Sequence, residues 1–550
     1  MQSVKRWKNL YKFNVSSSCG AKSLKSQGTT DDTQTPMERV AHGRTSASSS
    51  ERKLSHETLV IFASLLVSAA ALYLFRVLVI RQVDVVSAGI FFGLLVLFRN
   101  VNTLRDWGLG YYALERLAHI RVFAKRSGIW QVLAQVMAVQ TVTCIVLSAV
   151  LLAFWPWINA LVFQGHASYW HILFVVGLLV VSILEGGAQL FFQGMRLMGQ
   201  YALENVVKNV MILLLFITGA LLMLGSAAPF LAYLGAMLIA IVIFAIIAWR
   251  AMGRQDRAHL TVRESARIWF KNNIVMLAIL LMIALGSIDT LIVSAVLGVG
   301  KVTAYAAAVT IALLLTYFSQ AIVAAMLPRV PQAHKEGKND LFAKMLGSTR
   351  RALLLILIPL VVFVCIESKT VIAMVFGQSV ADAGPALMVL GVAMLFSVFS
   401  EINTQVLLGR SEAKRVVKFM LLGLVIDVIL NVILLPVLGI LGAAIAALIS
   451  YAVTLILSTK EIKELYNIQA HQVAQWQIPK GALLFAIVLT VGIGLLAQVV
   501  ISTGVVVIDL VLHALIIGGW YLILILLLRI VTAQELIQMG DVRGLFKKEE

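Results

Sequence analysis

The chain has 550 residues, 60% of them hydrophobic and only 13% charged, with a mean hydropathy of +0.93. Soluble domains carry about 25% charged residues, so a string of soluble domains is excluded. Three cysteines and nine prolines exclude disulfide-stapled, collagen-like and proline-rich classes, and the net charge of +18 raises nucleic acid as a partner, a question settled by where the charges sit.

Residues 1–57 form a basic, Ser/Thr-rich tail without apolar periodicity, expected to be disordered and to touch anionic head groups. It is not a signal peptide, because the apolar run that starts near Leu59 is full length and lacks a cleavage pattern; Met37 offers an alternative start. A hydrocarbon core of roughly 30 Å takes about 20 apolar residues per helix. Fourteen such windows follow: 58–79, 85–104, 129–152, 170–192, 205–224, 229–249, 273–297, 302–326, 353–375, 385–408, 417–435, 440–458, 482–501 and 506–528. The splits at Ala227-Ala228-Pro229 and Gly298-Val299-Gly300 rest on turn chemistry, and twelve spans is the nearest rival count.

With both termini in the cytoplasm, 41 of the 45 lysines and arginines fall in the tails and inner loops, leaving Arg76, Arg81, Lys301 and Lys369 for the outer side. The positive charge is therefore a topology signal, and no nucleic-acid partner is expected. Trp155, Trp157 and Trp170 fall at the outer rim, and Trp107, Trp249, Trp269 and Trp476 at the inner one. The expected protein is an all-α, polytopic membrane protein of about fourteen transmembrane helices in the cytoplasmic (inner) membrane. Two pseudo-symmetric six-helix lobes (58–249 and 273–458) would surround a central cavity. A cytoplasmic linker (250–272), two further spans (482–528) and a C-terminal tail (529–550) complete it. Two short echoes between the halves support the repeat: Val77–Val83 against Val296–Val302, and Gly194-Met195-Arg196 with Lys208 against Gly409-Arg410 with Lys418.

Ionisable groups at bilayer depth cost about 2.5–3.5 kcal/mol on insertion scales, so they face protein or water and mark a pathway. The tenth span carries Ser397, Ser400, Glu401, Thr404 and Gln405 on one helical stripe. The eleventh carries Asp427 and Asn431, and the fourth Glu185, Gln189 and Gln193, each at a spacing of four; Asp289, Tyr305, Thr316 and Gln320 lie in the seventh and eighth. The neutral members could equally be helix–helix hydrogen bonds. Arg76 either snorkels to the head groups or turns inward to hold an anion such as a diphosphate. The candidate substrate-lining set is Arg76, Glu185, Gln189, Asp289, Tyr305, Gln320, Glu401, Gln405, Asp427 and Asn431. Arg196, Lys208, Arg410 and Lys414 are either topology determinants or the lining of a cytoplasmic mouth.

No Walker loop, HExxH or CxxC occurs, and Gly108-Leu109-Gly110 lacks the third glycine of a dinucleotide site, so neither cofactor nor metal is expected. His166 and His171 fit interfacial surface residues, and Cys144 and Cys365 small core residues.

Asn431-Val-Ile-Leu-Leu-Pro436-Val-Leu-Gly439-Ile-Leu-Gly442-Ala-Ala, with Pro436 and Gly439 expected to make a tight outer turn, resembles a passage of the polysaccharide transporters, the O-antigen and exopolysaccharide flippases. These belong to the multidrug/oligosaccharidyl-lipid/polysaccharide exporter superfamily. Asp106-Trp107-Gly108-Leu109-Gly110, Ile288-Asp289 with Leu297-Gly298 and Tyr305, Met326-Leu327-Pro328, Phe376-Gly377 and Leu407-Leu408-Gly409-Arg410 are similar to further stretches of that family, across roughly 58–528. Val77-Leu78-Val79-Ile80 replaces the leucine-glycine pair that usually follows its equivalent of Arg76.

The resemblance implies a non-enzymatic flippase that moves a polyprenyl-diphosphate-linked oligosaccharide, such as a lipopolysaccharide or exopolysaccharide repeat unit, by alternating access. The head would cross a hydrated cavity while the prenyl tail stays in lipid. H+ or Na+ bound at Asp289, Glu401 or Asp427 would couple transport, with membrane lipid and polysaccharide polymerase machinery as further partners. The alternatives are a drug/cation antiporter of the same superfamily, a membrane-embedded glycosyltransferase or polymer ligase, and a non-transporting scaffold. The extra spans 482–528 argue against the antiporter, and short outer loops against the transferase.

Overall fold

A bilayer leaves backbone groups no water to bond, so spanning segments of this composition close their hydrogen bonds within helices. The computed structural model describes residues 63–64, 66–106, 108–110, 113–114, 116–117, 127–195, 197–252, 273–326, 339–466 and 480–528. The predicted tails 1–57 and 529–550, most of the linker 250–272, Arg196, Trp107, Trp269, Trp476 and Leu327-Pro328 lie outside them.

Helices follow one another through short turns: α1 (66–82), α2 (Val85–Asp106), α3 (Ser127–Val162), α4 (Tyr169–Gly194), α5 (Met198–Leu221) and α6 (Ala228–Met252). Next come α7, in two pieces (Asn273–Leu285 and Ile288–Leu297), α8 (Val299–Met326), α9 (Asn339–Phe376), α10 (Gly384–Gly409), α11 (Ala413–Leu438) and α12 (Ile440–Tyr466). Finally α13 (Lys480–Val500) and α14 (Val506–Leu527) close the chain. Among the described residues twelve helices are long and apolar enough to cross a membrane, and the bent pair of α7 makes thirteen. With α1 the order is that of the fourteen expected spans. Below, inner denotes the face where α2, α4 and α6 end and lysines and arginines gather, and outer the opposite face.

Helices α2 to α6 pack among themselves, chiefly α5 on α6, α4 on α6 and α3 on α4; α7 to α12 do the same, led by α10 and α11 on α12. The first group is tied near the outer face by an aromatic cluster. Phe75 of α1 meets Phe91 of α2 and Phe216 of α5 edge-on at 5.8 and 5.4 Å, and Phe91 meets Phe230 of α6 at 5.1 Å. Such geometry adds about 0.5–1.5 kcal/mol per pair beyond area burial. The groups meet where α2 lies along α7 and α8. The hairpin α13–α14 docks on α9 through Leu355, Ile358 and Val362 against Ile517, Tyr521 and Leu524.

Five local features differ from the sequence reading. The seventh span is not straight: it bends by 46° at Gly286-Ser287, where Ser287 leaves helical geometry (φ −150°) and the Leu285 carbonyl accepts the Tyr451 hydroxyl at 3.4 Å. A bend of this size needs a freed carbonyl to find a partner, and α12 provides it. Helices α3 and α9 run to 36 and 38 residues, past the predicted windows and through Pro156 and Pro359. A bilayer-length window sees only the apolar part of such a helix. Trp155, expected at the rim, is buried against Phe163 at 5.9 Å because α3 continues beyond it. His171 is buried rather than superficial: it stacks on Trp170 at 3.7 Å and its Nδ1 accepts the Ser168 N–H at 2.9 Å, satisfying an orphan donor at the start of α4.

Pro436 lies within the last turn of α11, and the reversal falls to Gly439 (φ 60°) alone. Gly442 then lets α12 approach α11 closely, since a Cβ there would fall 2.6 Å from the Leu434 carbonyl carbon.

Candidate functional site

The bend in α7 places Asp289 in the first turn of its second piece, facing α8 and α11. Asp289 accepts the Tyr305 hydroxyl at 3.1 Å and the Asn431 amide at 2.8 Å, and the same amide donates to Asp427 Oδ2 at 3.3 Å. All four side chains are buried. Asp427 Oδ1, Asn431 Oδ1 and Ser450 Oγ of α12 are buried with no partner at hydrogen-bond geometry among the described residues. Two buried carboxyl groups are thus joined by one amide, with the Ser450 hydroxyl beside Asp427. Two like charges brought this close repel, so the pair disfavours ionisation of both carboxyls at once. Asn100 of α2 reaches the bend from the other helix group, donating to Ser287 Oγ at 3.1 Å.

A second cluster lies among α4, α5 and α6. Lys208 pairs with Glu185 at 2.5 Å, and Gln189 donates to the same carboxylate at 3.5 Å. The sequence put Lys208 at the inner mouth; the structure places it ten residues inside α5, with 19% of its side chain exposed. Glu204, one turn before Lys208, is fully buried.

Between the clusters stand two arginines. Arg76 of α1 turns inward, its Nη1 donating to Thr310 Oγ1 of α8 at 3.3 Å. Arg99 sits seven residues inside the end of α2 with its side chain exposed. It lies within electrostatic reach of Arg76, of Tyr233 of α6, and of Glu401 of α10 and Tyr451 of α12. These neighbours belong to both helix groups. Two guanidinium groups at this depth, each a planar fork of donors, match the geometry of phosphate oxygens.

The remaining expected residues are less central. Glu401 and Gln405 are half-buried on α10, while Ser400 and Thr404 of the same stripe are buried, Thr404 bonding the Ser400 carbonyl at 2.8 Å. Gln320 falls on α8, and its side chain lies outside the description. Arg410 is half-buried and Lys414 exposed at the inner ends of α10 and α11.

Bonds join the helix groups at the outer face. Arg81 at the end of α1 donates to the Met374 and Val375 carbonyls at the end of α9, the latter at 2.7 Å. Thr303 donates to the Val85 carbonyl and Ser294 to the Val162 carbonyl, both at 2.6 Å. Gly89 packs so closely on α8 that a Cβ would lie 2.9 Å from the Val299 carbonyl carbon. At the inner end of α2, Asp106 accepts Gln140 Nε2 at 2.7 Å, and Gly108 (φ 68°) presses on Met276 of α7. The Asp106-to-Gly110 passage thus shapes the inner contact between groups.

Sequence reasoning missed Arg99, Glu204, Tyr233, Tyr451, and the buried pair of Glu367 (α9) and His513 (α14), joined at 2.8 Å. A lone arginine inside an apolar window was the visible signal for the first.

A family model described as lipid II flippase MurJ matches residues 118–515. An uncharacterized membrane protein of Methanocaldococcus jannaschii, MJ1068, is 22% identical over 409 residues, covering 70% of this chain and 80% of its own. Agl15 of Haloferax volcanii, named a probable low-salt glycan biosynthesis flippase, is 27% identical over 187 residues, 33% of this chain and 38% of its own length. Among solved structures, a lipid II flippase MurJ in an inward closed conformation superposes with a TM-score of 0.65 at 14% identity, over 89% of this chain and 100% of that one. An inward-facing multidrug resistance MATE family transporter of the MOP superfamily gives 0.57 at 16%, over 75% and 100%. At such identities the likeness is one of fold.

Proposed function

The chain belongs to the lipid II flippase MurJ family, and from that premise we propose that it carries a polyprenyl-diphosphate-linked oligosaccharide from the cytoplasmic to the outer leaflet by alternating access. The substrate is a repeat unit of a cell-surface polysaccharide of the O-antigen, lipopolysaccharide or exopolysaccharide kind. The site is the cytoplasmic membrane, with both termini inside. One observation supports the reading: Arg76 of α1 donates to Thr310 of α8 in the other helix group, and Arg99 of α2 lies within electrostatic reach of it. A diphosphate needs cationic forks where water is scarce, and a neutral or cationic drug does not.

The bonds that join the helix groups at the outer face support an inward-facing or occluded resting state. The head group enters from the inner side, its diphosphate is taken by Arg76 and Arg99, and the prenyl chain remains in lipid. Rocking of α1–α6 against α7–α12 breaks the outer bonds of Arg81, Thr303 and Ser294 and opens the passage outward. Glu401 and Gln405 on one side, and Glu185 and Gln189 on the other, offer acceptors and donors to sugar hydroxyls, and Arg410 and Lys414 border the inner entrance.

Net transport needs a downhill partner. The pair Asp289/Asp427, with Asn431 and Tyr305, binds H+ or Na+, and its position at the α7 bend ties the bound ion to the angle of a helix that packs on α2. A downstream polymerase consumes the flipped unit. Disruption of the gene tests the class: lipid-linked saccharide accumulates on the inner leaflet and surface polymer is lost. Unchanged surface polymer with no accumulated lipid-linked saccharide refutes the reading.

A further inference from the structure

We propose that Glu204 is a proton-binding site of the first helix group, distinct from the Asp289/Asp427 pair, and that Lys208 is shared between Glu204 and Glu185 according to whether Glu204 holds its proton. The role in transport rests on the reading above; the proton site does not.

Glu204 is fully buried, and among the described residues neither carboxyl oxygen has a partner at hydrogen-bond geometry. An ionised carboxylate placed this way would be deprived of water and of an engaged counter-ion, with only the neutral Gln189 amide beside it, so this arrangement is one for the neutral acid. The cation that could serve it is committed elsewhere: Lys208 Nζ bonds Glu185 Oε1. Yet Glu204 and Lys208 are four residues apart on α5, the spacing that puts two side chains side by side on one helical face. A rotation of the lysine side chain therefore exchanges one carboxylate for the other without moving the backbone.

The charged and titratable neighbours define the switch. Glu185 approaches from α4; Lys208 and Tyr201 belong to α5; Tyr233 faces Lys208 and Glu185 from α6; Arg105 of α2 acts on Glu185. Gln189 and Gln193 add neutral amides, and Arg196, between α4 and α5, lies outside the described residues. One lysine among two carboxyls leaves the group neutral only when one carboxyl is protonated. With the proton on Glu204, Lys208 stays on Glu185, as observed. When the proton leaves, Lys208 is drawn to Glu204 and Glu185 is released on α4, within electrostatic reach of Arg105 of α2. Proton occupancy at Glu204 thereby sets the charge offered to a head group between the helix groups.

Infrared difference spectra of the full chain in lipid vesicles, wild type minus Glu204→Gln at neutral pH, test the site. The expected result is a carboxylic-acid carbonyl band, slow to exchange with deuterium, that is lost in Glu204→Gln and kept in Asp427→Asn. An ionised-carboxylate band in its place overturns the proposal. Lys208→Met supplies a second, independent reading, because Glu185 then loses its cation: a further acid band should appear while the Glu204 band persists, and an unaltered spectrum overturns the sharing of the lysine. Flipping of a fluorescent polyprenyl-diphosphate saccharide under an imposed pH gradient tests the transport role. Acceleration by the gradient should be lost in Glu204→Gln, and its retention overturns that role. A wild-type protein that flips no probe refutes the flippase reading instead, and the infrared bands still decide the proton site.

Discussion

Replacing Arg81 by alanine tests whether the outer bonds between the helix groups hold the observed state. Arg81 donates to two carbonyls at the C-terminal end of α9, where the last carbonyls of a helix lack internal partners. At an exposed rim each such bond nets about 0.5–1 kcal/mol, so the pair contributes about 1–2 kcal/mol. Its loss should shift the balance of states toward outward opening by about 5- to 30-fold. Val299, 2% exposed and packed on Gly89, reports the opening when replaced by cysteine in a background without Cys19, Cys144 and Cys365. A membrane-impermeant maleimide added from the outer side should label Val299→Cys at least about fivefold faster with Arg81→Ala, and at an intermediate rate with Arg81→Lys, which keeps the charge but loses the fork. Equal rates in all three would show that Arg81 is a bystander and that the seal lies elsewhere.

Other consequences follow from the same contacts. Gly89→Leu should prevent outer closure outright, giving fast labelling at Val299→Cys and no flipping; slow labelling would contradict the packing described. Asn431→Ala removes the amide joining Asp289 to Asp427 and should lower stability by about 1–3 kcal/mol in thermal unfolding. Asp427→Asn should leave the fold intact while making flipping insensitive to imposed H+ and Na+ gradients; a retained response to either would remove this residue from coupling. His513→Leu leaves Glu367 buried without its 2.8 Å partner and should destabilise the docking of α13–α14, and adding Glu367→Leu should restore part of the loss. A double variant less stable than the single one would show that the pair is not a unit.

The order and number of the helices were legible because lipid imposes a simple rule, long apolar windows with basic inner loops, and this chain obeys it from Leu59 to Leu528. Asp289, Tyr305, Asp427 and Asn431 were legible for the same reason: polar groups at depth are costly enough to stand out. Their convergence was not, because it depends on the bend at Gly286-Ser287, which looks in sequence like any glycine inside a span. Arg99 was hidden by the rule that found the spans, since an arginine seven residues from a helix end counts as an inner-loop charge. Glu204 was hidden by a boundary: the apolar window of the fifth span opens at 205, whereas the helix begins at Met198. Glu367 and His513, separated by 146 positions, share no local signal at all.

The central claim is that Arg76 and Arg99 bind the diphosphate of a lipid-linked saccharide on its way across the bilayer. Its most direct test is the rate at which purified protein in vesicles flips a fluorescent polyprenyl-diphosphate oligosaccharide, compared between wild type and Arg76→Gln/Arg99→Gln. Charge-assisted bonds to phosphate are worth about 1.5–3 kcal/mol each, so the double variant should flip at least about tenfold more slowly while keeping the wild-type melting temperature to within a few degrees. Wild-type rates in the double variant would contradict the account.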